Sequence, residues 1–189
     1  MAVAAVFTLA RFSEAFLILR AEEVGLAVTL VPLVFVGMNA VYALSAWPAG
    51  VLSDGMSRPG LLMAGLVVLI AADLVLALAP GLAGLVVGVA LWGLHMGLTQ
   101  GLLAALVAEA VPAELRGTAF GMFNLITGGA LLLASLVAGG LWHAFGSQAT
   151  FMAGSAFALL AALGLIPLRQ RMAQDASGNR RKPPLTNEE

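Results

Sequence analysis

The chain is 189 residues long, 61% hydrophobic and 10% charged, with a net charge of −1 and a mean hydropathy of +1.00. About a quarter of the residues of a soluble domain are charged, so a surface this poor in charge calls for lipid as its solvent, and the near-neutral balance leaves no basic field for nucleic acid. With no cysteine, disulfides, thiolate metal sites, iron–sulfur clusters and thiol nucleophiles are excluded together.

A bilayer core of about 30 Å takes about 20 helical residues to cross, and charges and turn residues cut the sequence into six runs of that size. The first covers about Ala2 to Leu19 and ends at "RAEE". It has neither a basic leader nor a small-residue cleavage site, so it is expected to be a span rather than a signal peptide. The second runs from about Leu26 to Val51 and stops at "GVLSDGMSRP". The third covers about Leu61 to Leu78 and stops at "APG", and the fourth covers about Leu82 to Val107, before "AEAVPAELRG". The fifth and sixth cover about Thr118 to Phe145 and Thr150 to Leu168. Backbone groups in lipid must be satisfied within the segment, so these runs are expected to be helices. Short connections make neighbours antiparallel. The expected domains are a six-helix transmembrane bundle over residues 1–170 and a polar, disordered tail over 171–189.

With six spans, the N-terminus, the second and fourth loops and the C-terminus share one side. That side holds Arg58, Arg116, Arg169, Arg171, Arg180, Arg181 and Lys182, against Arg20 alone on the other. Positive charge stays cytoplasmic, so both termini are expected inside, in the plasma or inner membrane.

Between the second and third runs, Gly50, Leu52, Ser53, Asp54 and Arg58 form a compact polar hinge. Asp54 and Arg58 are close enough there to pair with each other or with a helix end. These residues resemble the G-x-L-S-D-x-x-x-R core of the signature loop of the major facilitator superfamily. "VPAELRGTAFGMFN", with Pro112, Arg116, Gly117 and Gly121 in order, resembles that superfamily's other loop. Ser57 replaces a common glycine, and Gly55 and Pro59 stand where basic residues often occur. The resemblance implies the C-terminal six-helix half of a twelve-helix transporter, with substrate bound near the midplane between halves and access alternating by rocking. It also implies that Gly50, Asp54, Arg58, Glu109, Arg116 and Gly117 belong to a conformational gate. The chain is then expected to be a fragment, a split half or a self-pairing half. Its partners would be the bilayer, the other six-helix half or a second copy, and a small-molecule substrate.

Ionisable groups inside spans are costly, so they pair or face water. Arg11 is expected near mid-bilayer with Glu14 on the same helical face, either lining a substrate or proton pathway or forming a self-neutralising pair. Asp73, in the outer half of the third run, is either a further candidate proton site or an outer helix position with a hydroxyl or backbone partner. His95 either titrates in the cavity or hydrogen-bonds within the core. Asn39, Tyr42, Gln100, Asn124 and Thr127 either line the cavity or hold helices together. Gly93, Gly97 and Gly101, followed by Ala105, and Ala130, Ala134 and Ala138 form small-residue stripes suited to close packing in lipid.

Chemistry finds no foothold. Ser135 and Ser155 lack the G-x-S-G setting of an intramembrane serine nucleophile, and no zinc motif or phosphate loop appears. No cofactor and no metal site are expected. The function expected is secondary transport of a small solute, with proton-coupled efflux as one form. The alternative is a membrane subunit that only binds a partner.

Overall fold

The computed structural model describes residue 8 and residues 10–179, with the side chains of Asp54 and of residues 167–179 outside that description. Much of the expected first span, residues 1–7 and 9, lies outside the described residues, as do residues 180–189. The described chain is all-helical: α1 (Ala15–Glu23), α2 (Pro32–Gly55), α3 (Arg58–Leu78), α4 (Gly81–Glu109) and α5 (Arg116–Asn179).

Four segments among the described residues are long and apolar enough to cross a membrane: Val28–Ser53, Arg58–Leu78, Gly81–Glu109 and Ala113–Ile166. The last has 54 residues, roughly 80 Å at 1.5 Å per residue against a core of about 30 Å. It does not run straight. Gly146 interrupts α5 with φ 82° and ψ −178°, a backbone open to glycine and closed to side chains. α5 therefore has two arms, residues 116–145 and 147–179. Its second arm continues to Asn179, into the segment that begins at residue 171.

The connections follow the punctuation of the sequence. After α1, Gly25 adopts φ 86°, the Gly25 amide donates to Glu22 O and the Leu26 amide to Ala21 O. This pair of bonds satisfies the helix's last carbonyls. The polar hinge is tighter than its sequence suggests. α2 runs through Ser53 and Asp54 to Gly55, and Ser57 precedes α3, which carries Pro59 in its first turn. A proline there lacks an N–H that the helix end would leave unpaired anyway.

α4 packs against α2 and α3, and α3 packs in turn against α5. Lipid is as apolar as leucine, so association rests on van der Waals fit and on small residues that let backbones approach. Leu66, Leu69, Ala72 and Leu76 on α3 are buried against Trp92 and Met96 on α4 and Phe151, Ala158 and Ala161 on the second arm of α5. Gly93 and Gly97 do fit the small-residue reading. A Cβ on Gly93 would meet Met38 O, and one on Gly97 would meet the Ser45 hydroxyl, both on α2. Gly101 faces open space.

Alternate turns gather at opposite ends of the bundle. At one end Arg58 grips Glu109, Nη1 to Oε2 and Nη2 to Oε1, across 51 residues of sequence. At the other, Arg20 reaches Ser147 Oγ at 3.3 Å and Ala79 O at 3.4 Å. That pattern is what antiparallel neighbours with short connections produce.

Candidate functional site

The described part of the expected first span is not helical throughout, and the break lies where its charges are. Residues 11–14 carry no helix, and α1 begins only at Ala15. Arg11 and Glu14 therefore do not share a helical face, as their spacing suggested. They still approach, Nη1 to Oε1 at 3.9 Å. Two tertiary contacts hold the break. The Ser13 amide, which a continuous helix would have bonded internally, donates to Ser135 Oγ on the first arm of α5 at 3.2 Å. Phe12 sits in an aromatic cluster, with ring centroids 5.1 Å from Phe16 and 5.6 Å from both Trp92 and Phe151. Trp142 joins through Phe16 at 5.7 Å.

Beside the break lies a cavity of about 310 Å³, lined by Thr8 and Arg11, by His95, Thr99, Gln100 and Leu103 on α4, and by Phe123, Asn124, Thr127, Gly128 and Leu131 on α5. Gln100 and Asn124 stand about nine residues from the helix ends at Glu109 and Arg116, so the cavity is roughly 12–14 Å deep at 1.5 Å per residue. Four of the six residues expected on a solute pathway meet here: Arg11, His95, Gln100 and Asn124. Glu14 lines an adjoining cavity of about 250 Å³ with Arg11, Phe12, Ser13, Ala15, Phe35 and Leu131. Asn39 is elsewhere: it is exposed on α2 and its amide donates to Phe35 O at 2.8 Å, one turn back.

The lining divides into committed and uncommitted groups. Thr99 donates to His95 O and Thr127 to Phe123 O, each within its own helix. His95 is fully buried, and its Nδ1 lies 2.8 Å from Gly65 O on α3. A carbonyl only accepts, so the proton of the neutral ring sits on Nδ1. This bond sits where α3 and α4 approach closely, since a Cβ on Gly65 would meet the Thr99 methyl. By contrast, the guanidinium of Arg11 and the amides of Gln100 and Asn124 make no hydrogen bond among the described residues.

The gate residues cluster at one end. Arg58 and Glu109 form the clasp described above, and Arg116 Nε donates to Ala108 O at 3.2 Å. Gly50 lines a cavity of about 260 Å³ with Arg58, Tyr42 and Ser53. Gly117 has open space around it. Asp54 lies in the last turn of α2, with its side chain outside the description.

One role escaped sequence reasoning, and one candidate proton site lies apart from this cavity. Ser135, weighed only as a nucleophile, is the acceptor that holds the break. Asp73 is fully buried, with neither oxygen hydrogen-bonded among the described residues. It faces Gly154, where an added Cβ would lie 2.8 Å from Asp73 Oδ2 and 2.7 Å from Phe12 Cε1. Among the described residues no three His, Asp or Glu side chains converge as metal ligands.

Helical segments long and apolar enough to cross a membrane, packed beside a polar cavity, mark an integral membrane protein. The chain belongs to the Major Facilitator Superfamily, whose sequence profile it matches over residues 1–187. It is 34% identical over 170 residues to an uncharacterized MFS-type transporter of Methanocaldococcus jannaschii, an alignment that covers 87% of this chain and 42% of that relative. The chain thus spans less than half the length of the curated relative it matches.

Proposed function

We propose that this chain is the C-terminal six-helix half of a secondary transporter that moves a small solute by alternating access, with the Arg11 cavity on the solute pathway. The observation that carries the reading is the non-helical stretch at residues 11–14 beside the cavity: irregular backbone at membrane depth is tolerated where it is buried in protein or lines a water-filled cavity, and transporters of this kind bind solute beside such interruptions. The 42% coverage of its relative supports the half reading. The facing half is a separate six-helix unit or a second copy of this chain. By the distribution of arginine and lysine, both termini are cytoplasmic, residues 1–170 form the transmembrane domain, and residues 171–189 form a polar tail. Arg58, Glu109 and Arg116 act at the gate, closing one end of the half as it rocks. Glu14 is the candidate proton carrier for a coupled, effluxing form.

The test is flux in proteoliposomes loaded with a mixture of small metabolites, read by mass spectrometry with and without a proton gradient. Glu14→Gln leaves Arg11 without its nearest carboxylate, a cost of about 2.5–3.5 kcal/mol on insertion scales, so both stability and flux should fall. The double change Arg11→Gln with Glu14→Gln should recover stability while flux stays lost. Full flux in a well-folded double variant would reduce the pair to structural glue.

A further inference from the structure

The charge of the cavity lining points to the charge of its occupant. Among the described residues Arg11 is the single cation lining it, and no described carboxylate lines the same cavity. Glu14, the nearest acid, opens onto the neighbouring one, and at 3.9 Å it makes no hydrogen bond to the guanidinium. A guanidinium has five N–H donors and no acceptor. At membrane depth, donors left uncommitted and a charge offset from a distance are both costly. Gln100 and Asn124 add two amides without a partner among the described residues, one on each wall. The two threonines on these walls spend their protons on their own helices, so their oxygens can only accept. The free donors therefore converge on a space bounded by Arg11, Gln100 and Asn124. At about 30 Å³ per water, a cavity of about 310 Å³ has room for roughly ten waters, or for an organic solute of similar heavy-atom count.

We infer that this cavity takes a small organic anion whose carboxylate seats on Arg11, with Gln100 and Asn124 donating to its polar atoms. The inference rests on the reading of the cavity as a solute site and narrows it to a charge class. A planar carboxylate matches the fork of a guanidinium in a way that no neutral or cationic group does. Because one cation is present and Glu14 already offsets part of it, a monoanion is favoured over a multiply charged one.

The test uses three probes of one shape and different charge: benzoate, benzamide and benzamidine. The full chain is placed in nanodiscs of neutral phosphatidylcholine, and binding is read by calorimetry and by the shift in unfolding temperature. Benzoate should bind at least about tenfold more tightly than either of the others, as a charge-assisted bidentate pair does against neutral bonds. Arg11→Gln should erase that preference, Arg11→Lys should keep part of it, and Asn124→Ala should weaken benzoate by a smaller factor. The probe comparison on the unaltered chain stands even if Arg11→Gln fails to fold. Equal or tighter binding of benzamidine, or a benzoate preference that survives Arg11→Gln, would overturn the inference. Stabilisation by phosphatidylglycerol discs without any response to benzoate would also overturn it, since the anion would then be a lipid headgroup. Thiol labelling of a cysteine at position 124 separates the two layers. A water-accessible position with no anion preference sinks the charge class alone, and an inaccessible one sinks the solute site with it.

Discussion

Gly93, Gly97 and Gly101 look equivalent in sequence, four residues apart on α4, yet the structure ranks them. A methyl on Gly93 would be driven against the backbone oxygen of Met38, with Val41 Cβ at 3.1 Å beside it. A backbone carbonyl cannot rotate away, so α2 would have to retreat on the order of 1 Å to restore an ordinary C···O contact. A methyl on Gly97 meets the Ser45 hydroxyl first, then Ser45 Cβ at 2.9 Å and the Ala46 amide nitrogen at 3.2 Å, so α2 must give slightly as well. That hydroxyl can turn at the expense of its bonds to Val41 O and Tyr42 O. Gly101 has nothing within reach. Overpacking of this kind costs about 1–3 kcal/mol, whereas alanine in an open helix position gains up to about 1 kcal/mol over glycine. Gly93→Ala should therefore destabilise by about 2–3 kcal/mol, Gly97→Ala by about 1–2, and Gly101→Ala by nothing or less. Unfolding in mixed detergent, followed by tryptophan fluorescence, reads all three. Trp92 stands next to Gly93 in the core, so its emission reports the interface directly. Equal stability of the Gly93 and Gly101 variants would refute the α2–α4 contact on which the bundle is built.

Asp73→Asn keeps the shape of a buried side chain whose oxygens have no described partner, so stability measured in the same detergent series should change by less than about 1 kcal/mol; a larger loss would reveal a partner for the carboxylate. Arg58→Gln, Glu109→Gln and the double variant form a cycle for the clasp, in which both side chains are at least a third exposed. Its coupling should be about 0.2–1 kcal/mol and should fall with added salt; a salt-independent coupling of several kcal/mol would mean the pair is desolvated. His95→Leu removes the bond to Gly65 O and should cost about 0.5–1.5 kcal/mol in the same unfolding assay, with no loss contradicting its role in fixing α3 to α4.

Much of the bundle was legible because glycine, proline and charge punctuate it. "GMSRPG", "APG" and "VPAELRG" all fall at helix ends in the structure, within a few residues of the expected boundaries. Gly146 is the turn between the fifth and sixth expected spans. The break at residues 11–14 was illegible, because "ARFSEAF" contains no glycine or proline. It is held from outside, by Ser135 122 residues away and by the aromatic packing of Phe12. Local propensity carries no trace of such contacts. The same holds for Arg58, read beside Asp54 but clasped to Glu109, and for Asn39, which is exposed on α2 with its amide bonded to Phe35 O. Depth follows from counting residues; direction depends on which neighbour each helix face meets.

Water and solute should reach the cavity beside residues 11–14. The chain has no native cysteine, so a single introduced thiol reports one position without background. Gln100→Cys and Asn124→Cys place it on opposite walls of the cavity. Val67→Cys places it near the middle of α3, on a side chain 57% exposed at the outer surface of the bundle. The thiolate, which forms in water and not in lipid, attacks a charged methanethiosulfonate reagent and displaces methanesulfinate to leave a mixed disulfide. In membrane vesicles labelling at positions 100 and 124 should be at least about tenfold faster than at 67. Labelling at 100 and 124 no faster than at 67 would contradict that access.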